Sequence, residues 1–205
     1  MYRHFDNRIV IFADDPAKRY TTCTTMLDYD TVAAGDKFGN VFVLRLPTKV
    51  STEIDNDPTG NKAVFDRGYL QGAPHKLEAI SQYFIGDTVT SLVATSLVPG
   101  GRQVILYTTL LGHIGILVPF VSKDDTEIFQ MLEMTLRNET PPLCGRDHLA
   151  FRSYYAPVKA VVDGDFCETF NALANEKKRG IAEGLDRSVA DIGKKLEDMR
   201  TRVAF

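Results

Sequence analysis

The hydrophobic period of this chain changes once, near Ser122, from two residues to roughly 3.6, which divides the sequence into a strand-rich part and a helical part. Ahead of the switch run eight short segments: RIVIFA, YTTCTTML, DTVAAG, VFVLRL, KLEAISQYFI, TVTSLVATSL, QVILYTT and IGILVPFV. Many are rich in Thr, Val and Ile, whose branched side chains fit a pleated, half-buried surface, so an antiparallel all-β architecture is predicted. FGN at Phe38–Asn40 and GH at Gly112–His113 each set a glycine beside a residue that tolerates positive φ, and both read as hairpin tips.

An internal match at an offset of 73 residues sharpens this. Gly39-Asn40-Val41 falls on Gly112-His113-Ile114, Val43-Leu44 on Ile116-Leu117, and Asp14 on Asp87. Four strands per unit, taken twice, predicts two blades of a β-propeller, the second displaced by an insertion. A generic β-sandwich with coincidental hairpins accounts for the same residues and stays open at this point. Two blades cannot close a ring that takes about 4 to 8. The expectation is therefore that Met1 is an artificial or processed start and that another polypeptide segment supplies the missing blades. The insertion spans 47–74, where Glu53, Asp55, Asp57 and Asp66 mingle with Pro58, Gly60, Gly68 and Gly72. Long loops of this kind tend to be functional or mobile, and Val64, Phe65, Tyr69 and Leu70 suit one docked helical turn.

Beyond Ser122, Asp124 with Glu127 reads as a D-x-x-E helix start, and Ile128, Phe129, Leu132 and Leu136 form an apolar stripe. PPLCGRD stops that helix, and HLAFRSYYAPV follows as a short aromatic stretch. FCETFNAL, EKKRGIAEGL and SVADIGKKLEDMRTRVAF predict three more helices. In the last, Ser188 with Asp191 caps the start, while Val189, Ile192, Leu196, Met199 and Val203 make a stripe expected to lie on the chain's own body. The division predicted is 1–121, mainly β, and 122–205, helical.

Charge and chemistry narrow the function. Lys plus Arg number 24 against 27 Asp plus Glu, a net charge of -3, which argues against the basic footprint that phosphate neutralisation needs. Apolar runs such as Ile9–Ala13 fall far short of the roughly 18–20 residues that span a bilayer, and MYRHFDNR lacks a signal-peptide core, so no membrane is expected. Cys23, Cys144 and Cys167 are too scattered for a disulfide framework and read as small buried hydrophobes in a reducing compartment. Cys144 with His148 is too small a set for zinc and has no nucleophile-elbow context, while His4, His75 and His113 fall on apparent loops or termini. The glycines at Gly100-Gly101 and Gly112-x-x-Gly115 read as turns rather than a phosphate cradle. Phe151, Tyr154 and Tyr155 beside Arg152 are expected to pack between domains rather than stack on bases. The tail from Glu176 to Arg202 mixes eight basic and six acidic side chains, a solvated helix surface. No enzyme, cofactor or metal is predicted.

The strings LDYDTVAAGDKFGNVFVLRLP, DPTGNKAVFDRG, LVPGG, GILVPF, PPLCGRDHLAFRSYY and KKLEDMRTRVAF together resemble the C-terminal end of the splicing factor 3b third-subunit family, in a fungal-looking version, from about Ile9 to Phe205. Its superfamily holds the large subunits of damaged-DNA-binding protein and of cleavage and polyadenylation specificity factor. The resemblance implies a three-propeller nuclear protein ending in a helical domain. This chain would supply about two blades of the last seven-bladed WD-like propeller, plus that domain. It further implies a non-enzymatic scaffold, without cofactor, in the particle that recognises the intron branch point. The implied partners are a HEAT-repeat large subunit, a small zinc-bearing PHD-like subunit and a very small helical subunit, with little direct RNA contact. Implied contact segments are Pro16 to Lys37 and Thr88 to Leu111. Their candidate residues are Arg19, Tyr20, Asp28, Tyr29, Asp36, Lys37, Arg102, Gln103 and Tyr107, with Tyr20, Tyr29, Arg102 and Tyr107 as anchors. The competing readings are a ubiquitin-ligase or DNA-damage-binding adaptor and a direct nucleic-acid binder. The quoted strings favour the splicing member.

Overall fold

The computed structural model describes residues 2–5, 8–50, 52, 72–73, 75–142 and 145–201. Strands β1 (Tyr2–Phe5) and β2 (Arg8–Ile11) form an antiparallel pair. Two residues on, β3 (Ala13–Asp14) bridges in parallel to β7 (His75–Lys76). Strands β4 (Thr21–Asp28), β5 (Thr31–Asp36), β6 (Asn40–Arg45) and β8 (Glu78–Phe84) build a four-stranded antiparallel sheet in that order. A second sheet has three strands, β9 (Val89–Ser96), β10 (Gln103–Thr109) and β11 (Ile114–Leu117), paired as a meander. Both sheets are open, and β11 ends the second one.

The strands group differently from the expected four and four. β8, read as the first strand of the second unit, instead completes the first sheet beside β6, in a register running from Asn40↔Phe84 to Arg45↔Glu78. β2 pairs away from the sheet with β1, an unexpected strand. The 73-residue offset therefore holds for the hairpins β5–β6 and β10–β11 and not for what precedes them. The connection from β9 to β10 covers 97–102, whereas Tyr29 and Asp30 alone join β4 to β5, and this difference breaks the offset. Asp14 lies in β3 and Asp87 in the turn before β9, so those two are not structural equivalents. The last strand stops at Leu117, short of IGILVPFV, because Pro119 has no N–H to give a ladder.

Both expected hairpin tips are present, with Gly39 at φ 89° and Gly112 at φ 88°. At the first, Asp36 Oδ1 accepts from the backbone N–H groups of Phe38 and Asn40, each at 2.9 Å, and Oδ2 accepts from Asn40 Nδ2 at 2.8 Å. A Cβ on Gly39 would lie 2.8 Å from the Asp87 backbone nitrogen. Gly39→Ala thus meets both a left-handed backbone and a wall of main chain. A stability loss of about 1–3 kcal/mol is expected, seen as a lower urea midpoint at constant slope. A wild-type midpoint would refute this account of the tip.

Alternation along the strands gives the first sheet two buried faces. Ala34, Phe42 and Leu44 pack with Ala13, Leu46 and Leu77 on one side. On the other, Val41 meets Val89 and Leu92 from β9, with Ile105, Tyr107 and Leu117 closing over them. The sheets approach so closely that a Cβ on Gly35 would sit 2.7 Å from Val89 Cβ.

The helical part comprises α1 (Lys123–Glu139), α2 (His148–Arg152), α3 (Gly164–Glu168), a 3-10 turn (Thr169–Ala172), α4 (Asn175–Gly184) and α5 (Val189–Thr201). Phe129, Leu132 and Leu136 of α1 meet Cys167, Phe170, Ile181, Ile192 and Leu196 in one core. The expected D-x-x-E start of α1 is not its cap. Ser122 holds the N-cap position without a side-chain bond, and Asp125 turns inward to an ion pair with Lys195. At α5 the reciprocal cap forms as expected, Asp191 N–H donating to Ser188 Oγ at 3.1 Å and Ser188 N–H to Asp191 Oδ2 at 3.2 Å. The α5 stripe packs on the chain's own body through Ile192 and Leu196, flanked by Val189 and Met199. Val203 lies outside the described residues, as do most of 47–74, including Glu53, Asp55, Asp57, Asp66 and the expected helical turn at Val64, Phe65, Tyr69 and Leu70.

Candidate interaction surface and the joint behind it

The first contact segment puts its residues in unlike surroundings. Tyr29 stands 91% exposed at the β4–β5 turn, beside the exposed Asp28, whose carboxylate accepts from Tyr29 N–H at 2.7 Å. Tyr20 is 61% exposed, with the Lys37 ammonium 4.0 Å from its ring centroid and 5.2 Å from that of Phe38. Arg19 is committed internally. Its Nε donates to Asp15 at 2.5 Å and its guanidinium covers the Phe42 ring at 4.0 Å. Asp36 is enclosed, its carboxylate spent on the hairpin knot. In the second segment, Arg102 and Gln103 are exposed at the entry to β10. Tyr107 is half-buried, pairs with Gly115 across the β10–β11 ladder, and lies over it so closely that a Cβ there would collide with the ring. The segments meet at the tips, where Thr88 Oγ1 donates to Lys37 O at 2.8 Å and Leu111 N–H donates to Asp87 Oδ2 at 2.9 Å.

A row of aromatic rings continues this surface into the helical part, and sequence reasoning foresaw its Phe151, Tyr154 and Tyr155 but missed their partners Phe38 and Phe84. Phe38 touches Tyr155 at 5.3 Å between centroids, Tyr155 touches Tyr154 at 4.8 Å, and Arg146 caps Tyr154 at 4.8 Å. Phe84, at the end of β8, holds Phe151, Tyr154 and Tyr155 at 5.4–5.7 Å. The expected packing of this aromatic stretch between the two parts is what the structure shows. The cue was there in SYY following a basic residue, but not the β8 end it would meet.

Behind the row lies a buried polar knot. Arg152 reaches from α2 to the sheet, its Nη1 donating to the carbonyls of Phe84 and Ile85, each at 3.1 Å. Its Nη2 and Nε donate to Asp163 Oδ2 at 2.7 and 3.0 Å, and His148 Nε2 lies 2.8 Å from the same oxygen. Asp163 Oδ1 accepts from Phe166 N–H at 3.1 Å, capping α3. Burial pushes the Asp163 carboxyl up, but the bonds from His148, Arg152 and Phe166 outweigh it and hold the group well below the usual carboxylate range. Burial also raises the Tyr83 phenol and the Glu133 carboxyl nearby. The extended segment before Asp163 adds to β8, with Gln82 and Lys159 exchanging backbone bonds at 3.0 and 2.9 Å.

Among the described residues no group of three or more His, Cys, Asp or Glu is placed to hold a metal ion, and no helix is long and apolar enough to cross a membrane. His148 is engaged by Asp163, and Cys144 lies outside the described residues. Cys167 is buried, and burial raises its thiol. His75, expected on a loop, is instead a buried member of β7.

The family model described as the CPSF A subunit region matches residues 1–172. The chain belongs to this family. A Danio rerio protein named splicing factor 3B subunit 3 is 57% identical over 204 residues, covering 100% of this chain and 17% of that protein. A Dictyostelium discoideum protein named probable splicing factor 3B subunit 3 is 55% identical, covering 98% of the chain and 16% of the relative. The Emericella nidulans pre-mRNA-splicing factor rse1 is 53% identical, covering 100% and 17%. The resemblance to splicing factor 3b is thus shown over the full chain, and it spans animal, amoebal and fungal relatives rather than fungi alone. The chain covers about a sixth of the length of these relatives.

Proposed function

We propose that the chain is the C-terminal part of a splicing factor 3b scaffold subunit, acting in pre-mRNA splicing in the nucleus without catalysis or cofactor. The observation that carries this is the 57% identity, along the whole chain, to a protein named splicing factor 3B subunit 3. In this reading, residues 1–121 are the last blades of a seven-bladed propeller and 122–205 its helical domain. The four-stranded antiparallel sheet has the make-up of one blade. The three-stranded sheet is a blade short of a strand, and the face it turns from the first sheet carries Val93, Leu106, Ile114 and Ile116 in adjoining registers, three of them exposed. Another segment of the same protein supplies the missing strand and blades and covers that face. The rim residues Tyr20, Asp28, Tyr29, Lys37, Arg102 and Gln103 then meet the HEAT-repeat, PHD-like and very small helical subunits, with little direct RNA contact.

Co-purification tests this. The chain, supplied with the missing blades, should recover those subunits from a nuclear extract. Tyr29→Ala should leave the melting temperature unchanged, since the ring touches water, while weakening partner capture about tenfold or more. Recovery of a ubiquitin-ligase assembly, or of none of the three subunits, would overturn the assignment.

A further inference from the structure

Three buried side-chain polar atoms lack a hydrogen-bond partner among the described residues: Arg137 Nε, Thr140 Oγ1 and His148 Nδ1. All three residues line one cavity, of ≈ 170 Å³, together with Arg146, Phe151 and Phe166. Native proteins leave few such atoms unpaired, so three at a single cavity call for a physical explanation. Neither Arg137 nor Arg146 makes an ion pair among the described residues, and the Asp147 carboxylate there accepts from Leu149 N–H at 3.2 Å. Glu133 stands behind the wall, 3.7 Å from His148 Nδ1, while the lining itself sets Arg137 and Arg146 against Asp147 alone, a positive excess on an otherwise apolar surface.

We propose that this cavity receives an acidic side chain of a protein partner, presented on an extended segment whose apolar neighbours lie along Tyr154 and Tyr155. Size selects the occupant first. Cofactor and metabolite sites run about 300–1,000 Å³, and this cavity holds a single side chain. Hydrogen-bond inventory selects it second. A carboxylate accepts from Arg137 Nε–H and from the Thr140 hydroxyl, the two donors left without a partner there. His148 is turned to the protein's own carboxylates, Nε2 to Asp163 at 2.8 Å and Nδ1 toward Glu133 at 3.7 Å, so the two free donors define what the occupant must accept. The neighbouring surface selects it third. Tyr154 and Tyr155 are about half exposed beside Arg146, the aromatic and arginine mix that concentrates protein-binding energy. Their rings stand at 83° to each other, and Phe38 is tilted 42° to Tyr155, which offers no parallel platform for successive bases. The site is defined by this geometry alone and does not depend on which assembly contains the chain.

The test uses the intact chain against an array of heptapeptides with a central Glu flanked by Leu, Phe or Pro, and a matched array with Gln. Glu peptides should bind, and Arg137→Gln should weaken them about tenfold or more, the loss expected for a charge-assisted bond. Thr140→Val should raise the melting temperature of the free chain, because it removes a buried hydroxyl without a partner, and still weaken the peptide. Opposite signs of that kind are not produced by a purely structural role. Arg146→Gln, on an exposed residue, carries the same binding test should Arg137→Gln fail to fold. Equal binding of the Gln array, no binding of either, or displacement of Glu peptides by equimolar inorganic phosphate or oligouridylate overturns the proposal.

Discussion

Asp163→Asn is expected to lower the unfolding free energy by about 2–4 kcal/mol, the cost of taking the buried carboxylate from the partly buried Arg152 and from His148. The side chain is 6% exposed, and its Oδ2 draws together Arg152 from α2 and His148. Asparagine keeps the shape and can still accept from Phe166 N–H, so the substitution isolates the charge from the cap. Urea unfolding measures it, and a double-mutant cycle with Arg152→Met separates the pair from its surroundings. A loss under about 1 kcal/mol would show that water or other groups stand in for the carboxylate. The pH dependence follows from the depressed carboxyl. Its stabilising effect is fully present above its unfolded value of about 4 and is lost as pH falls through the lower folded value. The gap between wild type and Asp163→Asn should therefore stay constant above about pH 5 and narrow progressively as pH falls below about 4. Glu133, raised chiefly by burial, works the other way, contributing stability below its unfolded value that is lost as pH rises through the folded one. Because the Asp163 charge is itself one of the causes that raise Glu133, the comparison is made with Glu133→Gln in both backgrounds, which removes its share.

Phe42→Ala should cost a similar amount, about 3–5 kcal/mol, through lost burial and the cavity left behind. Phe42 is among the largest fully buried side chains and lies mid-strand in β6, where Ala34, Leu44 and Leu77 surround it. One face of its ring also carries the Arg19 guanidinium, held there by Asp15. Truncation removes that support, so part of the loss should reappear in Arg19→Met, which keeps the stem and discards the charge. If Phe42→Ala melts within about 1 kcal/mol of wild type, the sheet repacks freely and the two-faced core described here is wrong.

Much of the fold was legible because strand and helix periods are local properties. QVILYTT coincides with β10 residue for residue, and Ser188 with Asp191 announced the start of α5. What failed was long-range. No local pattern says that β8 crosses back to β6 over an insertion, and a repeat detected at two hairpin tips was extended to strands it does not govern. The candidate surface was legible by segment but not by side chain. Tyr29 and Asp36 are seven positions apart, yet one faces water and the other is consumed by its own turn. Arg19 offered the same charge to a reader of sequence as Arg102 does, and only the fold shows it pinned over Phe42. The Arg152–Asp163 knot was invisible for the same reason, since its members acquire meaning only where β8 ends.

The short bridge of β3 with β7 gives the 47–74 stretch an engineering use. Asp14 grips Lys76 and accepts from Ala73 N–H at 2.9 Å, so the return of the chain is fastened before β8 begins. Between such fixed anchorages, doubling the number of residues costs only about 0.6 kcal/mol in closure entropy. A fluorescent module or an affinity tag spliced between those clamps should ride on the molecule as cargo, reporting its whereabouts without loosening either sheet.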